Sequence, residues 1–167
     1  MSDSFVFLIS IFIVGFFYCV VWLIGFYNKA VSQLEETKKY QSNLDAEVKR
    51  KVDLVYQLAD SIKDGSEFEK NLYKMLSEIR SDTIDDSSEI ELKINKVIAY
   101  AEAFPNIRSI DLFESFQVQV GDTETRIQKA KMLFNHSAFE YNAFIKIFPN
   151  VLGALLLGFK GVLYQAN

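Results

Sequence analysis

At 167 residues the chain has room for one domain of ordinary size and one membrane segment, and a second independent core is not expected. Half of the residues are hydrophobic and 15 are Phe, but the apolar residues concentrate at the two ends, so the middle is water-soluble in character. The formal net charge of −4, from 22 acidic and 18 basic residues without dense Lys/Arg clustering, argues against nucleic acid as a partner.

From Phe5 to Tyr27 the chain carries 23 residues without a charge, and about 20 suffice to cross a bilayer. A transmembrane helix over residues 5–27 is the expectation, preceded by a short N-terminus, residues 1–4. A cleavable signal peptide would show a basic leader and a small-residue cleavage site, and neither is present. Tyr18, Trp22, Phe26 and Tyr27 gather toward the C-terminal end, as aromatic rings do at headgroup level. No Lys or Arg precedes the span, whereas Lys29, Lys38 and Lys39 follow it. That bias predicts an N-terminus outside and the rest of the chain in the cytoplasm. The single cysteine, Cys19, lies inside the apolar run, so no intramolecular disulfide forms. Tyr18 before it is wrong for a lipidation site, and a lipid-facing or helix-packing role is expected.

Beyond the span, residues 28–149 read as a helical bundle domain. Val31, Leu34, Leu44, Val48, Val52, Val55, Leu58 and Ile62 mostly recur every three or four residues, drawing one apolar stripe. Only two prolines occur, and nothing breaks the pattern between the span and Asp64-Gly65. A helix from Tyr27 to Lys63 would be about 55 Å long. Ser66 with Glu69 forms a capping-box pattern opening a second helix, with Phe68, Leu72, Met75, Leu76 and Ile79 on its apolar face. The polar run Ser81 to Asp86 reads as a loop. Ser88 with Glu91 opens a third helix, with Ile90, Ile94, Val97, Ile98 and Ala101 inward and Pro105 marking its end.

The last long helix gives the clearest period. Phe113, Val120, Ile127, Phe134, Tyr141 and Phe148 lie seven residues apart on one face. Gln117, Glu124 and Lys131 mix with Phe116, Ala130 and Ile145 between them, which favours packing in a bundle over a two-stranded coiled coil. Ser109 to Phe148 would be about 60 Å long. The predicted fold is therefore all-α: one N-terminal transmembrane helix continuing into an antiparallel long-helix bundle of about four helices, two long and two short.

Residues 150–167 form an apolar tail, and nine of the ten residues from Val151 to Lys160 are apolar or glycine. The stretch is too short to span a bilayer. Three readings stay open: bundle core, membrane surface, or contact with another subunit. Gly153, Gly158 and Gly161 allow close backbone approach or a bend. The candidate oligomer or membrane contact residues are Val151, Leu152, Leu155, Leu156, Leu157 and Phe159. If the last helix returns antiparallel to the first, the tail arrives at the bilayer surface.

Catalytic chemistry is poorly supplied. His136 is the only histidine and has no cysteine partner, so nucleophilic triads and nitrogen or sulfur metal sites are not assembled from one chain. Flanked by Asn135 and Ser137, His136 reads as a solvated surface residue. Glu35, Glu36, Asp53, Asp82, Asp85 and Asp86 have the pattern of solvated faces and loop caps, and no glycine-rich phosphate loop appears. No cofactor is expected, and the reading is non-enzymatic.

Three stretches resemble the LemA family of bacterial membrane proteins, which includes LemA-like proteins of magnetosome membranes. Tyr27-Asn28 resembles the family's tyrosine-asparagine junction after the span, and LDAEVKRKVDLVYQL, Leu44 to Leu58, resembles its basic motif and following segment. The most specific stretch is AEAFPNIRS with TETRIQKAKMLFNHSAFEYNAFIKIFP and Gly158-Phe159. Where the family usually has Ile-Pro-Asn this chain has Val55-Tyr56-Gln57, so the resemblance does not carry that proline's bend over. It implies a membrane-anchored antiparallel bundle and contributes no catalytic residues.

Two functions fit these observations. The first is a homo-oligomeric scaffold or membrane-shaping assembly, motivated by surplus hydrophobicity at both ends, with the lipid bilayer as a partner. The alternative is a monomeric or dimeric adaptor that docks a cytoplasmic protein partner on the charged face around Lys49, Arg50 and Lys51. A basic triplet of this kind is more often solvated, or paired with acidic neighbours, than a partner site.

Overall fold

The computed structural model describes residues 2–61, 67–81, 87–103 and 111–165. Among these the regular structure is all helical, with α1 at Ser2–Ser61, α2 at Glu67–Ser81, α3 at Ser87–Glu102, α4 at Asp111–Lys146 and α5 at Asn150–Leu157. The all-α expectation holds. Asp64-Gly65, Ser66 with the first capping box, the run after Ser81, Pro105, Ser109 and the ends at Ile62 and Lys63 lie outside the described residues, as do the side chains of Phe68 and Ser88. Helix α3 already includes Ser87, a start one residue before the expected cap.

Helix α1 passes through Val55-Tyr56-Gln57 without interruption, as a sequence lacking proline there permits. Helix α4 stops sooner than the seven-residue pattern predicts. Phe113, Val120, Ile127, Phe134 and Tyr141 are buried, but Phe148 lies past the helix end and is 76% exposed. The cause is Pro149: its ring disfavours helical backbone at the residue before it and it has no N–H to donate. The chain turns through Ile147 to Pro149 and starts α5 at once, with the Val151 N–H donating to the Ile147 carbonyl at 3.0 Å.

The chain folds as two compact units, and the division falls inside both long helices. One comprises residues 39–135 with 165–167; the other comprises residues 1–38 with 136–164.

In the first unit the α1 residues Leu44, Val48, Leu54, Val55, Leu58 and Ala59 meet Leu72, Leu76 and Ile79 of α2. Ile90, Ile94, Val97 and Ala101 of α3, with Phe113, Phe116, Val120, Ile127 and Ala130 of α4, complete this core. Polar contacts fix the directions. Lys51 reaches Glu124 at 3.0 Å and Glu47 faces Arg126 at 3.9 Å, so α1 and α4 run antiparallel here. Lys131 with Glu91, at 2.7 Å, and Gln117 with Glu102, at 3.4 Å, set α4 antiparallel to α3. Tyr56 donates to the Leu76 carbonyl at 3.0 Å and Tyr73 to Asp60 at 2.8 Å, which does the same for α1 and α2.

The second unit has a smaller core of Phe26, Ala30, Tyr141, Ile145 and Ala154, flanked by Leu34, Phe144, Phe159 and Val162. It also contains the apolar stretch of α1 from Phe5, which is long and apolar enough to cross a membrane and is left unburied until Phe26.

Candidate membrane-contact site

The site is built where the apolar stretch of α1 ends. Phe26 is buried and forms its hub: the ring stacks on Phe144 at 5.6 Å and on Trp22 at 5.9 Å, and meets Phe159 edge-on at 5.8 Å. Tyr27 also meets Phe159 edge-on, at 6.0 Å. Lys29 lies over the Phe144 ring, 5.1 Å from its centroid, a cation–π contact that keeps the ammonium at the edge of the aromatic cluster.

Helix α5 lies against this cluster by its small residues. Gly153 and Ala154 are its buried positions, and α5 approaches close enough that a Cβ on Gly153 would lie 2.8 Å from Phe26 Cδ1. The opposite face is uncovered. Leu155 is 83% and Leu156 71% exposed, with Val151, Leu152 and Leu157 exposed beside them. Leu157 lines an open apolar groove of about 370 Å³ with Val20, Leu23, Ile24 and Tyr27. Of the six residues expected at a contact, five thus lie on an exposed surface, whereas Phe159 is drawn into the aromatic cluster.

Gly158 closes α5 with φ of 75°, a left-handed cap that glycine adopts without strain, and the Phe159 N–H returns to the Ala154 carbonyl at 3.0 Å. The chain then continues without regular secondary structure and is held by side chains of α4. Tyr141 donates its hydroxyl to the Lys160 carbonyl at 3.0 Å. Asn142 clamps Val162 from both sides, donating Nδ2–H to its carbonyl at 2.8 Å and accepting its N–H on Oδ1 at 2.8 Å. In the other unit Asn135 does the same to Gln165, at 3.0 and 2.9 Å. Asn150 donates to the Phe144 carbonyl at 3.1 Å, satisfying one acceptor near the end of α4. Burial pushes the Tyr141 hydroxyl above its ordinary pKa, with Lys38 opposing, so it remains a donor at neutral pH.

These amide clamps were not anticipated. A signal was present: Phe134-Asn135 and Tyr141-Asn142 repeat an aromatic-asparagine pair seven residues apart, so each asparagine sits at the edge of the buried stripe.

The basic triplet divides. Lys49 and Arg50 are exposed, but Lys51 is fully buried, its ammonium donating to Asn95 Oδ1 at 2.7 Å and to Glu124 at 3.0 Å. Lys51 is therefore a bundle residue and not part of a docking face. A position facing inward between α3 and α4 accepts a lysine when oxygen atoms meet its head group. His136 is exposed and lies 3.5 Å from the equally exposed Glu140. Among the described residues no group of three or more His, Cys, Asp or Glu is arranged to hold a metal ion.

Residues 40–166 match the LemA family. The chain belongs to the LemA family. A curated relative, the magnetosome protein MamQ of Magnetospirillum gryphiswaldense, is 32% identical over 71 residues, which is 42% of this chain and 26% of the relative. The match thus spans about a quarter of that protein's length. This LemA-family chain is a membrane-associated helical protein, with a candidate membrane helix at its N-terminus.

Proposed function

We propose that this LemA-family protein is a non-catalytic membrane scaffold whose copies self-associate in the plane of a bacterial inner membrane and shape it. Residues 5–27 span the bilayer, residues 1–4 lie outside, and the bundle of residues 28–149 stands in the cytoplasm. The apolar surface left at the membrane end, by the span and by the tail of residues 150–167, is what copies share. The observation that carries this reading is the uncovered leucine face of α5, Leu152, Leu155 and Leu156, held beside the aromatic end of the span. A contiguous apolar surface of this kind marks a contact with lipid or protein. A relative named as a magnetosome protein agrees with a role in organising membranes.

The test is the size and shape of the full-length protein in mild detergent, by light scattering and electron microscopy, beside Leu155→Gln/Leu156→Gln. Truncation after Phe148 is a poorer variant, because it also removes Ala154 and Phe159 from the packed cluster. A large regular particle that is lost in the double variant supports the scaffold. A small species in both sinks it and favours the adaptor reading, in which Lys49 and Arg50, exposed on α1, dock a cytoplasmic protein. A reporter fused after Asn167 tests the orientation, and activity confined to the outside would reverse it.

A further inference from the structure

The aromatic cluster fixes α5 at a definite depth relative to the span. Gly153 packs on Phe26, whereas Leu157, one turn further along α5, lies in the groove with Val20, Leu23 and Ile24. Val20 lies seven residues before Tyr27, about 10 Å along a helix. The hydrocarbon of one leaflet is about 15 Å deep. With the span crossing the bilayer, the C-terminal end of α5 therefore lies below the headgroups and inside the acyl layer of the leaflet that Tyr27 reaches. The side chains that α5 turns away from α1 fit that surrounding: Leu152, Leu155 and Leu156 are exposed and apolar. Ile147 and Phe148 before α5 are exposed and apolar too.

Charge marks the same boundary. Lys146 closes α4 three residues before Pro149, and Lys160 follows α5 by three residues. With Lys29, two residues past Tyr27, they are the only charged side chains in residues 4–34 and 141–167, where no Asp or Glu occurs. Lysine stems extend along apolar surface and raise the ammonium to the phosphate level. An apolar helix with basic flanks has the chemistry of an interfacial element that prefers anionic lipid.

We infer that residues 147–159 form a re-entrant wedge, with α5 inserted in the acyl layer of one leaflet beside the span and Lys146 and Lys160 holding anionic phospholipid headgroups at its two ends. The inference rests on the reading of residues 5–27 as a span, but not on self-association. A wedge of this kind adds helix cross-section to one leaflet and none to the other.

The test uses the full-length chain with Cys19→Ser, reconstituted at high lipid dilution so that copies are apart. A spin label is placed singly at Leu156→Cys, at Val21→Cys in the span, or at Glu36→Cys beyond it. Collision with oxygen, which partitions into acyl chains, is compared with collision with a water-soluble nickel chelate. The expected result is an oxygen-to-nickel ratio at residue 156 several-fold above that at residue 36 and close to that at residue 21. A ratio matching residue 36 overturns the insertion, and shielding from both reagents overturns it by placing the leucine against protein. For the lysines, the ratio at residue 156 is measured in phosphatidylcholine vesicles with and without phosphatidylglycerol. Added anionic lipid is expected to favour the inserted state about fivefold per lysine, and Lys146→Gln/Lys160→Gln should abolish that dependence. An unchanged response in the double variant removes the headgroup role. Resistance to alkaline carbonate extraction, measured in parallel, reports on the span alone.

Discussion

Gly153 lies against the face of Phe26 so closely that a Cβ would meet the ring at 2.8 Å from Cδ1 and 2.9 Å from Cε1. The ring has nowhere to go, because Phe144 stacks on it at 5.6 Å and Phe159 meets it edge-on at 5.8 Å. Gly153→Ala gains up to about 1 kcal/mol in helix propensity but incurs overpacking of about 1–3 kcal/mol. The expected outcome is a net loss, read as faster amide exchange in residues 150–162 of the detergent-extracted protein. Gly153→Leu should release α5 altogether, whereas Gly121→Ala, at a site open to solvent, should leave exchange there unchanged.

Asn142 makes both of its hydrogen bonds to the Val162 main chain from a buried position. Asn142→Leu leaves the Val162 N–H and carbonyl without these partners, a loss of about 1–3 kcal/mol. Asn142→Asp keeps an acceptor for the Val162 N–H but sets a carboxylate oxygen against the carbonyl, so it should not rescue. Exchange of the Val162 amide is the readout, and protection equal to that of the parent in either variant would contradict the clamp.

Lys51 separates burial from charge. Glu124→Gln removes the anionic partner of a fully buried ammonium. Loss of one member of a buried pair costs about 3–5 kcal/mol, but Glu124 is about half exposed and water replaces part of that interaction. A drop of about 1–3 kcal/mol in thermal stability is expected. Lys51→Met, which keeps the packed stem and discards the charge, should be near neutral because the solvated Glu124 tolerates losing its partner. Equal losses in the two variants would show that the ion pair itself stabilises the bundle beyond the packing of the lysine stem.

Tyr73 and Asp60 give a pH dependence. The Tyr73 hydroxyl donates to Asp60 Oδ1 at 2.8 Å, and this bond, first among its causes, holds its pKa above the ordinary 10.0. The folded state therefore keeps the proton more tightly than the unfolded one. The contribution is fully present below pH 10.0 and is lost as pH rises through the folded value. Tyr73→Phe should lower stability at neutral pH and flatten the alkaline decline, measured by thermal melts across that range. Tyr141, raised by burial, adds a second alkaline component that the Tyr73 variant retains.

The helices were legible because apolar spacing is set by burial: the stripes of α1 to α3, and that of α4 as far as Tyr141, are the ones that pack inward. The end of α4 is not legible in the same way, because the seven-residue pattern continues to Phe148 where Pro149 no longer lets the backbone follow. Lys51 takes the ion-paired role that the triplet allowed, but its burial is not legible in the sequence. Charge in a run of three says nothing about which member points inward, and the oxygens that receive it come from Asn95 and Glu124, distant in the chain. The tail's contacts could not be read from its own composition, since Phe26, which packs on Gly153, and Asn142, which grips Val162, are set by other parts of the chain.

Asn135 and Asn142 grasp peptide groups and ignore side chains. Over evolutionary time that frees most letters of the terminal segment to drift: Leu163 and Tyr164 point outward and answer only to their surroundings. Gly161 has no such freedom, because a Cβ there would meet Asn142 Oδ1 at 3.0 Å. Lineages should therefore keep the glycine and the spacing to the asparagines while rewriting the neighbouring letters to suit whichever membrane they inhabit.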